Sequence, residues 1–442
     1  MNFVKIHELK LTIKRYIPET IWISLIRVYN FVGLRGRYTY YLIDKAPKRH
    51  RKALELVRKK KCVKVAFFLT HESVWKYSVL YDLMLHHPKF EPKLFVCPVV
   101  NFGKENMIYE MDKTYNGFKN NGYKVIKTYN DETGEYLDIK NTFSPDLVFF
   151  TNPHEALQDY RYYINQFSKT LTCYVPYGVS AINYELDHIL GFHNLVWKIF
   201  TETPIHKEIA VQKQRNKGRN RVVTGYPGLD PFLICKNPKE VWKNKNPALK
   251  RIIWTPHHLM HELNKGSNFL EYYDIFLELA ATYKDKIQIT FNPHPLLRIK
   301  LEKDPNWGKE RTDIYFNKWM NLENGQYGSG SYTDLFLTSD ALIHDSISFM
   351  SEYLITGKPY LFMIRNESIM DYWNSYGEKV LAVHYQSRNK KQLIDFIENV
   401  VLKENDWMKT ERDHFLQNTL LQKNGLTASE NILNYLETEL FI

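Results

Sequence analysis

From residue 63 onward the apolar positions fall in short continuous runs, the first being Val63-Lys64-Val65-Ala66-Phe67-Phe68-Leu69. Further runs at 93–100, 123–127, 146–151, 171–176 and 195–201 are expected to be strands. Stretches of helical periodicity lie between them, at 74–86 and 104–121 for example. Strands alternating with helices imply a parallel sheet covered on both faces. A second series is expected at 221–224, 251–255, 287–292, 341–344, 360–364 and 380–383. The last third is again helical and ends in a run over 406–440. The pattern therefore predicts an α/β chain of two Rossmann-like, doubly wound domains facing each other across a cleft. Their junction is expected near 202–220, with an N-terminal domain over 62–204 and a C-terminal one over 205–442. Ligands of such sheets bind beyond the carboxyl ends of the strands.

Charge divides the chain differently. Residues 1–61 hold sixteen Lys and Arg against Glu8, Glu19, Asp44 and Glu55, a net +12, whereas the whole chain carries +11. The body is thus nearly neutral, with a basic helical arm over 1–61. Within the arm, 17–34 (IPETIWISLIRVYNFVGL) is strongly apolar, and the runs 48–52 and 58–61 are basic. Such a segment suits an amphipathic helix at an anionic membrane surface. It equally suits helices packed on the body with a solvated basic face. Nucleic acid is not an expected partner, because no recognisable binding module accompanies the charge. Cys62, Cys97, Cys173 and Cys235 show no paired spacing, which fits a reducing compartment. The start of the chain lacks the order of a signal peptide, and no uncharged apolar run reaches the roughly 20 residues that span a bilayer.

Three expected strands of the second series run into polar elbows. Ile252-Ile253-Trp254 leads to Thr255-Pro256-His257-His258, with His261 and Glu262 close behind. The strand ending at Phe291 leads to Asn292-Pro293-His294-Pro295. Ala341-Leu342-Ile343 leads to His344-Asp345-Ser346-Ile347-Ser348, followed by an apolar helix that stops at Gly357. A Ser/Asp elbow opening a helix offers free N–H groups and hydroxyls to a phosphate, although the same residues also cap ordinary helices. Flanking prolines fix the direction of His294, which could donate to a diphosphate or stabilise a leaving phosphate. His257, His258, His261 and Glu262 are metal-ligand types, but Pro256 confines any i, i+4 spacing to a first turn, and no metal is expected.

The segment TGYPGLDP at 224–231, the turn at 292–295 and the stretch from SDALIHDSIS to GKPYLF resemble the CDP-glycerol glycerophosphotransferases of teichoic-acid and capsule synthesis. Those are two-domain GT-B enzymes carrying TGxPRxD, an HP turn and a TDYSS elbow. The resemblance covers roughly 140–365. It implies that Asp345, Ser346 and Ser348, with His344, His257 and His258 nearby, lie at the phosphates of a CDP-linked donor. It also implies that His294 assists at the transferred phosphoryl group, and that Thr224, Gly225 and Pro227 form an interdomain turn facing the nucleotide. Glu352, one turn beyond Ser348, is either close to that site or a surface residue. The expected partners are a CDP-polyol donor, a glycan or lipid-linked acceptor and the inner face of a bacterial membrane, with no further cofactor. On this reading Asp345→Ala is expected to impair the donor and spare folding.

Two departures stand out. Where the family carries WHG, whose His is proposed as the base for the acceptor hydroxyl, this chain has Pro176-Tyr177-Gly178. A phenol titrating near about 10 is a poor base at neutral pH. His71, in Leu69-Thr70-His71-Glu72-Ser73, and the pair His154-Glu155 are the alternative bases. The arginine of TGxPRxD is replaced by Gly228. Two further readings stay open: a GT-B glycosyltransferase using a nucleotide sugar, and a non-catalytic, membrane-docked scaffold of the same fold.

Overall fold

The computed structural model describes residues 34–183, 190–261, 267–328, 332–347 and 349–442. The apolar stretch at 17–33, Glu262 and Ser348 lie outside the described residues.

Two parallel sheets form the frame. The first contains β1 (Val63–Leu69), β2 (Phe90–Val96), β3 (Val125–Lys127), β4 (Leu147–Phe150), β5 (Leu171–Tyr174), β6 (Lys198–Thr201) and β7 (Arg221–Val223). The second contains β8 (Lys250–Thr255), β9 (Ile287–Phe291), β10 (Gly325–Tyr327), β11 (Ala341–His344), β12 (Tyr360–Met363) and β13 (Tyr385–Ser387). Strand orders are β3-β2-β1-β4-β5-β6-β7 and β10-β9-β8-β11-β12-β13, so both halves repeat one doubly wound plan. Each sheet reverses its winding once, between β1 and β4 and between β8 and β11. Crevices at such reversals are where doubly wound sheets take ligands. Nearly every strand residue is buried, as two covered faces require.

Several expectations change at this level. The strand at 221–223, expected to open the second series, is the edge of the first sheet, beside β6. Its short apolar pattern says nothing about which sheet it joins, and the expected junction at 204/205 is not a sheet boundary. Val380 and Val383 do not form a strand: the helix Ser375–Leu381 buries Val380, and the strand follows at β13. The helix expected after the 345–348 elbow is two short pieces, Phe349–Glu352 and the 3-10 turn Tyr353–Thr356. It stops, as expected, at Gly357, whose φ of +67° is left-handed.

The chain finally returns to its beginning. The helix Ala428–Phe441 packs against Ser78–Leu85 of the N-terminal half, and His87 pairs with Glu437 at 3.0 Å. Ile432, Leu436 and Leu440 join one apolar core with Val65, Phe67 and Leu80. Of the basic arm, the helix Leu34–Val57 is described. Leu42, Ile43, Ala46, Ala53 and Val57 are buried, and the helix packs against the first domain. His50 on that helix donates to the Leu195 carbonyl, and burial still lowers its pKa to about 4. Lys45, Lys48, Arg51 and Lys52 are exposed on the opposite side. No described helix is long and apolar enough to cross a membrane.

Candidate functional site

The elbows after β9, β8 and β11 lie on adjacent strands, so the three polar turns share one rim. Trp254, the penultimate residue of β8, anchors it. Its ring is buried and stacks on Phe276 at 3.9 Å between centroids. Losing such a ring costs about 3–5 kcal/mol. Beyond it, His294 N donates to the Pro256 carbonyl at 3.0 Å, stitching two elbows together.

This stitching gathers three imidazoles. Ring centroids lie 4.2 Å apart for His257 and His258, 4.1 Å for His258 and His294, and 5.2 Å for His257 and His294. One ring nitrogen from each falls within 4.8 Å of the others. Burial, and then the neighbouring imidazoles and Lys300, lower the pKa of His257 to about 3. Burial, His294 and Lys300 lower His258 to about 4. His294 is lowered by burial and Lys300. All three are therefore neutral near pH 7 in the free site. Leu296 N donates to His294 Nδ1 at 3.1 Å, so the ring proton sits on Nε2. A metal-bound histidine needs the reverse, a lone pair at the metal and a donor on the other nitrogen. A ring N–H with the charge of Lys300 nearby suits an anion.

The other expected donor residues divide. Asp345 is buried and its oxygens are engaged inside the protein. Oδ1 accepts from His257 N at 2.6 Å, and Oδ2 from Asn268 N at 2.7 Å and Ser267 Oγ at 3.0 Å. Burial pushes its pKa up to about 6 against these bonds. Asp345 thus positions the His257 elbow. His344 is wholly buried beneath the turn, its Nδ1 donating to the Ser346 carbonyl at 2.9 Å. Burial lowers its pKa to about 3. Ser346 is also buried. Glu352 is an interdomain residue, 3.3 Å from Lys76 Nζ and 3.5 Å from the Tyr226 hydroxyl.

TGYPGLDP is a joint between halves. Thr224 is buried, and Gly225 takes a φ of +91° with Ala428 and Gln422 about a Cβ away. Pro227 opens the buried turn Pro227–Leu229. Asp230 accepts from Ala428 N at 3.0 Å and Ser429 N at 2.8 Å, capping the returning helix. A Cβ on Gly228 would lie 2.5 Å from the Tyr226 ring. The absent arginine is therefore matched by a tyrosine folded over its place, whose hydroxyl donates to the Tyr177 carbonyl at 2.9 Å.

Across the cleft, the loop carrying Tyr177 is clamped to the second domain. Asn374 Nδ2 donates to Ser180 O at 2.9 Å and Ile182 O at 3.2 Å. Gly377 approaches so closely that a Cβ there would meet Ala181 O at 1.9 Å. Tyr177 is partly exposed and lines a cavity of about 250 Å³ with Tyr174, Pro176, Glu202 and Ile347. His71 lies in the other half, after β1 of the first sheet, with Glu110 rather than Glu72 as its carboxylate partner at 3.4 Å. Burial lowers the pKa of both His71 and His154. Glu202, Asn374 and Tyr226 escaped the sequence reading. Only Glu202 carried a signal, an acid at the end of an expected strand just before Thr203-Pro204.

Residues 196–438, more than half the chain, match the family model described as CDP-Glycerol:Poly(glycerophosphate) glycerophosphotransferase. The chain belongs to this family. The match includes all three elbows, and the protein is accordingly an enzyme of the glycerophosphotransferase type. No curated protein matches the sequence. Among solved structures, a variant of the wall teichoic acid polymerase TagF soaked with CDPG aligns with a TM-score of 0.56 at 13% identity, over 91% of this chain and 97% of that one. UDP-GlcNAc 2-epimerase from Neisseria meningitidis, bound to UDP-GlcNAc, aligns at 0.52 and 13%, over 85% and 99%. MnaA of S. aureus, in complex with UDP, aligns at 0.53 and 15%, over 86% and 97%. These likenesses establish the GT-B-like fold of this glycerophosphotransferase.

Proposed function

We propose that this glycerophosphotransferase moves a glycerol-phosphate, or a similar polyol-phosphate, from a CDP-linked donor to a hydroxyl of a glycan or lipid-linked acceptor in cell-surface polymer synthesis. The observation that carries the reading is the neutral three-histidine cluster on the elbows after β8 and β9, beside the reversal and inside the family-matched segment, with a ring N–H available on His294. Its partner in the reading is the TagF variant soaked with CDPG, which shares the fold.

In this mechanism the acceptor oxygen attacks the β-phosphorus, the bond from that phosphorus to the bridging oxygen breaks, and CMP leaves. Phosphoryl transfer needs little covalent help, so His257, His258 and His294 serve by holding the diphosphate and neutralising charge on the leaving oxygen. Asp345 serves by fixing the His257 main chain. Ser346 and Ser348 remain proposed donor-side residues, and Thr224, Gly225 and Pro227 act by holding the domains in register. The exposed bases of the helix Leu34–Val57 support a peripheral position at the inner face of the membrane, near a lipid-linked acceptor.

Thermal shift tests the donor class. CDP-glycerol is expected to raise Tm in proportion to ln(1 + [L]/Kd), and UDP-GlcNAc is expected to leave it unchanged. Stabilisation by UDP-GlcNAc alone would make the protein a nucleotide-sugar enzyme.

A further inference from the structure

We propose that Glu202 is the general base for the acceptor hydroxyl, and that the cavity it shares with Tyr177 and Ile347 holds the terminal polyol or sugar unit of the acceptor. This rests on the phosphoryl-transfer reading above. Glu202 follows β6, at the carboxyl edge of the first sheet and facing the cleft. It is 2% exposed, and its Oε2 has no hydrogen-bond partner among the described residues. A sealed carboxylate oxygen without a donor is costly, and a ligand O–H removes that cost. The cavity beside it supplies the room. About 250 Å³ is equivalent to roughly eight waters at about 30 Å³ each, enough for one polyol or sugar unit. Tyr174, Pro176, Tyr177 and Ile182 give its walls an apolar character suited to ring or chain carbons.

Position relative to the donor is the second observation. Ile347 lines the same cavity and stands between Ser346 and Ser348 of the donor elbow. A hydroxyl seated on Glu202 thus shares one cavity with a residue of the proposed phosphate elbow. Tyr177, standing where the family has its proposed base, becomes a wall of the acceptor cavity, and the base moves to the end of the neighbouring strand. The step balances: Glu202 takes the hydroxyl proton, the new bond joins the acceptor oxygen to the β-phosphorus, and the bridging oxygen departs on CMP with the electron pair. The proton then passes to solvent.

The test measures CMP released from CDP-glycerol by the full chain, with a poly(glycerol phosphate) oligomer as acceptor probe. General-base loss in Glu202→Gln should lower kcat by at least about 100-fold. Its CDP-glycerol KM and the Tm gain from CDP-glycerol should remain those of wild type, and Glu202→Asp should fall between. Ile347→Phe narrows the cavity without touching the carboxylate, and should raise the KM for the oligomer. That variant keeps the proposal testable should Glu202→Gln fail to fold. Activity of Glu202→Gln within about threefold of wild type, against the 10² or more expected of a general base, overturns the Glu202 assignment alone. An unchanged oligomer KM in Ile347→Phe overturns the acceptor cavity. No CMP from the wild-type chain overturns the transfer reading together with this one.

Discussion

Donor binding should draw protons into the three-histidine cluster. Free, the cluster is neutral because burial and mutual repulsion oppose charge, with His258 near about 4. A diphosphate reverses that balance. An opposite charge within about 4–6 Å raises a histidine pKa by about 1–3 units, so His258 would reach about 6–7 in the complex at the upper part of that range. By linkage, affinity then rises about 2–10-fold between pH 8 and pH 6, or about 0.4–1.4 kcal/mol. The diphosphate of CDP-glycerol is a diester whose groups stay ionised throughout, so the dependence belongs to the protein. Calorimetry at pH 6, 7 and 8, in buffers of different ionisation enthalpy, reads both the affinity and the protons taken up. His258→Ala should flatten the dependence. Equal or weaker binding at pH 6 without proton uptake would refute the reasoning.

The same depressed values make the free protein acid-labile. A base whose folded pKa lies below about 6.5 contributes full stability above that pH and loses it as pH falls toward the folded value. His257 and His344 (about 3) and His258 (about 4) should each cost up to about 1.4 kcal/mol per pH unit below 6.5, seen as a falling Tm. Asp345, raised to about 6, works in the opposite sense from there toward 3.8. Saturating CDP-glycerol should relieve the part due to His257 and His258 and leave the part due to His344. Asp345→Ala orphans two backbone N–H groups and should destabilise by about 2–4 kcal/mol, measured by denaturant unfolding, so folding is not spared as the sequence alone suggested. Asp230→Ala should cost about 0.5–2 kcal/mol and speed amide exchange at the start of Ala428–Phe441. Gly228→Arg, which restores the family residue, must displace the Tyr226 ring and should cost about 1–3 kcal/mol in the same unfolding assay.

The two-domain plan was legible because each buried strand is a short apolar run ending in a recognisable polar turn. The rim of elbows was legible for the same reason, and the adjacency of β9, β8 and β11 brings His257, His258 and His294 together. Sheet membership was not legible. The edge strand β7 has the same pattern whichever sheet it joins, and three-residue β10 gives too short a run to notice. Side-chain direction was also hidden. His344 and Asp345 look like their neighbours in sequence, yet one points into the core and the other ties loops together. Long-range partners carry no local signal at all. Asp230 meets the start of the last helix, and Asn374 meets the Tyr177 loop, across separations of roughly two hundred residues.

The most direct test of the account is the fate of CDP-glycerol in the presence of the purified chain and a poly(glycerol phosphate) oligomer. CMP and a lengthened oligomer are expected in equal amounts, both lost in His294→Ala while the variant remains folded. Release of a nucleoside diphosphate from a nucleotide sugar instead, or undiminished transfer by His294→Ala, would contradict it.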